Sequence, residues 1–148
     1  MVKRSERLKV VLELAARKEK SARDLLSRAQ QALQAEQARY GQLEAYMQDY
    51  QQKIRGEGAQ LHVALYANYQ NFMHQLNVAM EQQQKKLVFM KNQVDAYTKA
   101  WRVAHEKTRG MESHIDQCKH EELLLEGKQE QKMLDEFSQL SSRYRGNH

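Results

Sequence analysis

Two long series of mostly apolar residues run along this chain at alternating intervals of three and four residues. Twelve of the fourteen residues in the first series and fourteen of the sixteen in the second are apolar, against 41% of the whole chain. The first series is Leu8, Leu12, Ala15, Glu19, Ala22, Leu26, Ala29, Leu33, Glu36, Tyr40, Leu43, Met47, Tyr50, Ile54. The second series is Tyr66, Tyr69, Met73, Leu76, Met80, Gln83, Leu87, Met90, Val94, Tyr97, Trp101, Ala104, Thr108, Met111, Ile115, Cys118. Because this spacing averages 3.5 residues, it predicts two helices whose apolar stripes, called seams below, pack together in a coiled coil.

The composition favours a helical hairpin over a compact globule. The 148 residues include no proline, and a mean hydropathy of −0.91 leaves too few apolar residues for a globular core of this size. Gly56 and Gly58 lie between the two series, and glycine commonly ends a helix. We therefore predict an all-α fold, a long two-helix antiparallel coiled-coil hairpin whose second helix is longer and overhangs. The predicted elements of this single domain, 1–148, are a helix over 5–54 with Ser5 as its N-cap, a turn over 55–60, a helix over 61–141 and a frayed tail over 142–148.

The spacing also predicts how the helices align. With the a positions of one helix facing the d positions of the other, Met47 faces Tyr69, Glu36 faces Met80 and Glu19 faces Tyr97. Leu8 then faces Thr108, and the second helix continues for over thirty residues without its partner. Apolar residues in that overhang, among them Met111, Ile115, Cys118 and Leu125, are expected to be uncovered. Either the overhang folds back or it binds a partner, and we favour a partner.

Aromatic residues flank the seam near the predicted turn. Tyr46, Phe72 and Ala79 occupy positions beside the seam, and in an antiparallel pair these flanks share one side. Tyr46 and Phe72 should therefore lie close together on an exposed face. An exposed cluster of this kind indicates a protein-binding site.

Several classes of function find little support in the residues. A single cysteine precludes an intrachain disulfide, and no apolar run approaches the ~20 residues of a membrane span, so we expect a cytosolic protein. The N-terminal cluster Lys3, Arg4, Arg7 and Lys9 could bind nucleic acid, but no aromatic residue is interleaved with it, and a solvated face or an acidic protein partner is favoured. We find no phosphate loop or catalytic motif. His114 and Cys118 have a spacing that a metal could bridge, but we interpret them as solvated and seam residues, and we expect no catalysis, no cofactor and no metal.

Three segments resemble a known family. Residues 69–76, Tyr-Gln-Asn-Phe-Met-His-Gln-Leu, together with 79–82, resemble the middle of the flagellar FliJ export protein family. Ala100-Trp101-Arg102 and the segment 131–137, Gln-Lys-Met-Leu-Asp-Glu-Phe, resemble its later part. The first helix is also similar, and the resemblance spans nearly the whole chain.

This resemblance implies a function in flagellar type III protein export. Members are cytoplasmic components, non-enzymatic and peripheral to the inner membrane, with an antiparallel coiled coil similar to the central stalk of rotary ATPases. Their paired termini enter the hexameric export ATPase and promote its assembly, and they also contact the membrane export gate and take part in the traffic of export chaperones. The gate-contact surface would be Leu43, Tyr46, Tyr50, Phe72, Leu76 and Ala79. At the end that faces the ATPase we expect Arg4, Arg7, Met111, Ile115, Met133 and Phe137. Alternatives are the stalk protein of a virulence-type secretion system and a nucleic-acid-binding arm, although we expect no nucleic acid as partner and no membrane insertion.

Overall fold

The structure, a computed structural model, describes residues 3–56 and 63–146, which form two helices. Helix α1, Arg4–Gly56, has 53 residues, and helix α2, Val63–Gly146, has 84 residues. The helices pack against each other, and no strand occurs in the two described ranges. The predicted all-α pair with a longer second helix is therefore confirmed.

Both helices extend beyond their predicted ends. Arg55 and Gly56 belong to α1, and no glycine in the described ranges has a positive φ. The rest of the predicted turn, 57–60, and the predicted helix start at 61 lie outside the described residues. At its other end α2 includes 142–146, which we expected to be frayed. Neither end meets a proline, and a glycine costs a helix only about 1 kcal/mol relative to alanine, which is not enough to end it.

The seam predictions hold for nearly every residue. All fourteen residues of the first series are buried or half-buried, and so are those of the second series except Tyr66, which is 53% exposed. The two acidic members of the first series, Glu19 and Glu36, are each only 7% exposed. A period of 3.5 residues thus identifies the buried face of each helix even where that face carries a charge.

The chain divides into two units, each made of one segment of α1 and one of α2. The first unit comprises Met1–Glu19 and Val103–His148, and the second comprises Lys20–Arg102. Within each unit the two helix segments are antiparallel, because residues later in α1 contact residues earlier in α2. In the second unit Glu36 contacts Lys86 and Tyr50 contacts Tyr69.

The predicted alignment is wrong by about one helical turn in the second unit. Tyr50, not Met47, stacks on Tyr69, with ring centroids 5.5 Å apart. Glu36 pairs with Gln83 and Lys86 rather than with Met80. The physical reason is that a buried carboxylate needs hydrogen-bond donors, which Gln83 and Lys86 supply and a methionine does not.

The error is larger in the first unit, where α1 reaches further along α2. Ser5 and Lys3 contact Glu122 and Glu126, whereas we expected α1 to end beside Thr108. Two residues expected to be uncovered are buried there in consequence: Ile115 is 3% exposed and Cys118 is 5% exposed. Met111 is half-buried. The overhang therefore begins only after Glu126, and residues 127–146 are called the tail below.

The start of α1 is capped from the other helix. Ser5, predicted as the N-cap, lies inside the first turn, where its backbone N–H donates to Glu122 Oε1 (3.1 Å) and its hydroxyl donates to Glu122 Oε2 (2.8 Å). Both bonds hold the pKa of the Glu122 carboxyl below its ordinary value. Beside them Lys3 Nζ lies 2.7 Å from Glu126 Oε1. Free N–H groups at the start of a helix bind anions well. The Glu122 carboxylate therefore binds the start of α1 to α2 at the point where the overhang begins.

Candidate functional site

An open groove with an apolar centre lies on the second unit. Leu43 and Tyr46 are adjacent on one face of α1, and Phe72 and Leu76 are one turn apart on α2. Leu76 is 8% exposed and forms the base of the groove, whereas Tyr46 is 55% exposed. These four residues with Arg39, Gln42 and Gln83 enclose about 610 Å³ and are called the aromatic groove.

Consecutive ring contacts hold the aromatic side chains of this region in place. Phe72 meets Tyr46 edge-on at a centroid distance of 5.8 Å, and it meets Tyr50 at 4.6 Å. Tyr50 in turn stacks on Tyr69. Pairs in these geometries contribute about 0.5–1.5 kcal/mol beyond the area they bury. The rings that line the groove are therefore positioned before any partner arrives, which lowers the entropy lost on binding.

The polar edge of the groove is organised by Glu36. Gln83 donates hydrogen bonds to the Glu36 carboxylate and to its backbone oxygen, the latter at 3.3 Å. Lys86 Nζ lies 3.1 Å from Glu36 Oε1, and Arg39 Nη1 lies 3.3 Å from the same oxygen. The hydrogen bond from Gln83, with that from Lys86, holds the pKa of the Glu36 carboxyl below its ordinary value. One buried carboxylate thus orients two side chains that line the groove, Arg39 and Gln83.

The predicted contact surface is largely brought together. The adjacency of Tyr46 and Phe72 is confirmed, and Leu43 and Leu76 line the groove beside them. Tyr50 joins the cluster through Phe72. Ala79 is half-buried and is not one of the residues that enclose the groove.

Sequence reasoning missed the polar side of the groove. Arg39 and Gln42 are not among the residues predicted for this surface, and Gln83 was predicted only as a member of the second seam. A usable signal existed, because Gln42 lies one turn before Tyr46 and one position from Leu43. A search of the flank for polar neighbours of the exposed tyrosine would have found it.

The residues expected to face the ATPase are not alike in their exposure. Arg4 and Arg7 are exposed on the first turns of α1. Met133 and Phe137, in the tail, are 70% and 73% exposed. Met111 and Ile115 are covered by α1, as described above, and they offer little surface to another protein.

Neither a cluster of metal ligands nor a membrane-spanning stretch occurs in residues 3–56 and 63–146. No group of three or more His, Cys, Asp or Glu side chains in these ranges is arranged to hold a metal ion. Neither helix, over its described length, has an apolar stretch long enough to cross a bilayer.

Known proteins resemble this chain along nearly its whole length. The family model described as "Flagellar FliJ protein" matches residues 4–147. The flagellar FliJ protein of Salmonella typhi is 26% identical over 133 residues, which cover 89% of this chain and 90% of that protein. No solved structure matches.

Proposed function

This chain belongs to the flagellar FliJ protein family and is a component of the flagellar export apparatus, and from that premise we propose that it works there by binding other proteins, not by catalysis. The aromatic groove carries this proposal. It combines fixed aromatic rings, an apolar base and a polar edge that includes an arginine, which is the composition of the central part of many protein interfaces.

The groove would bind the membrane export gate. The groove has a volume of about 610 Å³, which can receive one or two apolar side chains of a partner. Arg39 on its edge favours a partner whose neighbouring segment is acidic or accepts hydrogen bonds. A partner anchored in the inner membrane would hold this protein at the cytoplasmic face of that membrane. No part of the protein would need to enter the bilayer.

The start of α1 and the tail would engage the hexameric export ATPase. Arg4 and Arg7 supply exposed positive charge, and Met133 and Phe137 supply exposed apolar surface. By the resemblance to rotary-ATPase stalks, this end would enter the ATPase ring, promote its assembly and couple it to export. This protein would also bind and release export chaperones at the export apparatus. Membership of the flagellar family favours these partners over those of a virulence-type secretion system.

The test is a binding titration of the cytoplasmic part of the export gate against variants of the groove. Tyr46→Ala combined with Phe72→Ala removes both rings of the edge-on pair, and we expect at least a tenfold loss of affinity, since buried aromatic anchors contribute about 2 kcal/mol or more. The matched control is Phe89→Ala, because Phe89 is 61% exposed and does not line the groove.

Circular dichroism distinguishes loss of binding from loss of fold. Unchanged helicity with weakened binding supports the proposal. Equal affinities for the groove variant and the Phe89→Ala control would contradict it.

A further inference from the structure

A second apolar stripe lies on the tail, outside the aromatic groove. Met133, Phe137, Leu140 and Tyr144 follow one another at intervals of four, three and four residues. Their exposed fractions are 70%, 73%, 64% and 72%. The spacing is the same as that of the two seams, so this stripe has the form of half a coiled coil.

We propose that the tail pairs with the tail of a second copy of this chain, in antiparallel orientation. Phe137 of each copy then faces Leu140 of the other, and Met133 faces Tyr144. Because the pairing is two-fold symmetric, these contacts occur twice and give four apolar layers.

Charge complementarity supports this occupant and this orientation. Glu136 and Arg143 lie on the same flank of the stripe, seven residues apart. In the antiparallel alignment Glu136 of one copy meets Arg143 of the other, twice by symmetry. In a parallel pair Glu136 would instead face Ser141, and no ion pair would form. Charges on the flanks of a coiled coil select its orientation in this way.

The length of the tail also suits a second copy. In this alignment residue 146 of one copy lies opposite residue 131 of the other. That is five residues short of Glu126, which contacts Lys3, the residue before α1. The pairing therefore leaves the contact between Lys3 and Glu126 in place, and it needs no change in either copy.

Folding back of the tail onto its own chain does not explain the stripe. Helix α2 is continuous from Val63 to Gly146, and Gly127 at the start of the tail is helical with nothing unusual in its φ. A reversal would require a break that the helix does not have. The tail therefore presents its stripe to another molecule.

Self-pairing would compete with the ATPase contact proposed above. Met133 and Phe137 belong to both surfaces, so a paired tail could not bind the ATPase through them. The pairing itself rests on the stripe and its charges, and it does not depend on the proposed function.

The test is sedimentation equilibrium of the full chain in low-salt buffer, over a concentration range that reaches hundreds of micromolar. We expect the average mass to rise from 17.5 kDa toward twice that value. Glu136→Arg and Arg143→Glu each replace two attractive pairs with two repulsive ones, and each should weaken self-association roughly tenfold or more. An equimolar mixture of the two variants restores both attractive pairs and should associate like the original protein.

Control variants and circular dichroism make the outcomes decisive. Asp135→Arg and Arg145→Glu reverse charges of the same kind on positions that face away from the stripe, and they should leave association unchanged. Self-association is compared only among variants whose circular dichroism shows unchanged helicity. Three results would overturn the proposal: a protein that stays monomeric throughout, a mixture that does not recover association, or controls that weaken association as much as the test variants do. A protein that stays monomeric would assign the stripe to a different partner.

Discussion

At the scale of single residues, Glu36 is a buried carboxylate in the seam of the second unit. A carboxylate in an apolar seam is destabilising unless donors surround it. Gln83 and Lys86 provide those donors from α2, and Arg39 adds a third from α1. Sliding the helices by one turn would remove the two donors of α2, so Glu36 favours one alignment. The same contacts place Gln83 and Arg39 at the edge of the aromatic groove.

Protonation of Glu36 and of Glu122 should lower the stability of the folded protein in acid. The pKa of each carboxyl is lowered in the folded protein, by hydrogen bonds from Gln83 and from Ser5 respectively. The stabilisation is therefore fully present above the ordinary pKa of 4.5, and it is lost as the pH falls through the lower folded value.

Melting curves recorded by circular dichroism across the acid range check this expectation. Glu36→Gln should lower the Tm at neutral pH, because the ion pair with Lys86 is lost, and it should flatten the fall of Tm in acid. The control is Glu44→Gln, at an exposed carboxylate of the same helix. If the Tm of Glu36→Gln changes with pH as steeply as that of the unchanged protein, Glu36 does not contribute to the acid dependence.

At the scale of the helices, periodicity predicted which residues are buried but not which residues meet. Burial of a stripe depends on spacing within one helix, so a sequence displays it directly. Alignment depends on how two stripes match, and apolar layers such as Met47 and Tyr50 opposite Tyr69 are nearly interchangeable. Polar seam residues break that equivalence. Matching Glu36 to Gln83, one of the two polar residues of the second seam, would have corrected the alignment of the second unit.

The adjacency of Tyr46 and Phe72 was predicted correctly, although the alignment on which that prediction rested was wrong. Tyr46 and Phe72 meet despite the one-turn error, because aromatic side chains are long enough to reach diagonal neighbours. The tail could not be located from spacing alone. Its true start depends on Ser5 and Lys3 binding Glu122 and Glu126, contacts between polar side chains that the apolar period does not reveal.

Disulfide formation between introduced cysteines tests the alignment of the two helices. In a Cys118→Ser background, Tyr50→Cys with Tyr69→Cys should cross-link quickly, since these side chains are in contact. Met47→Cys with Tyr69→Cys, the pair of the discarded alignment, is the matched control and should cross-link more slowly. Faster cross-linking of the control pair would show that the helices are one turn away from the alignment described above.

At the scale of the whole molecule, the two units expose surfaces of different chemistry. The second unit carries a groove whose rings are already in place, while the first carries an exposed apolar stripe with charged flanks. A family role in flagellar export is consistent with a protein that makes several separate contacts. In our proposals the groove binds the gate, and the tail binds either the ATPase or a second copy of the chain.

Photocrosslinking in flagellated cells tests the central claim, that the aromatic groove is a docking surface for the export gate. A photoreactive benzoylphenylalanine replaces Tyr46 in one strain and Phe89 in another, and cross-linked proteins are identified after irradiation. Because Tyr46 lines the groove and Phe89 does not, we predict a cross-link to the gate from position 46 and none from position 89. A gate cross-link from position 89 alone, or none from position 46 in cells that still assemble flagella, would contradict the claim.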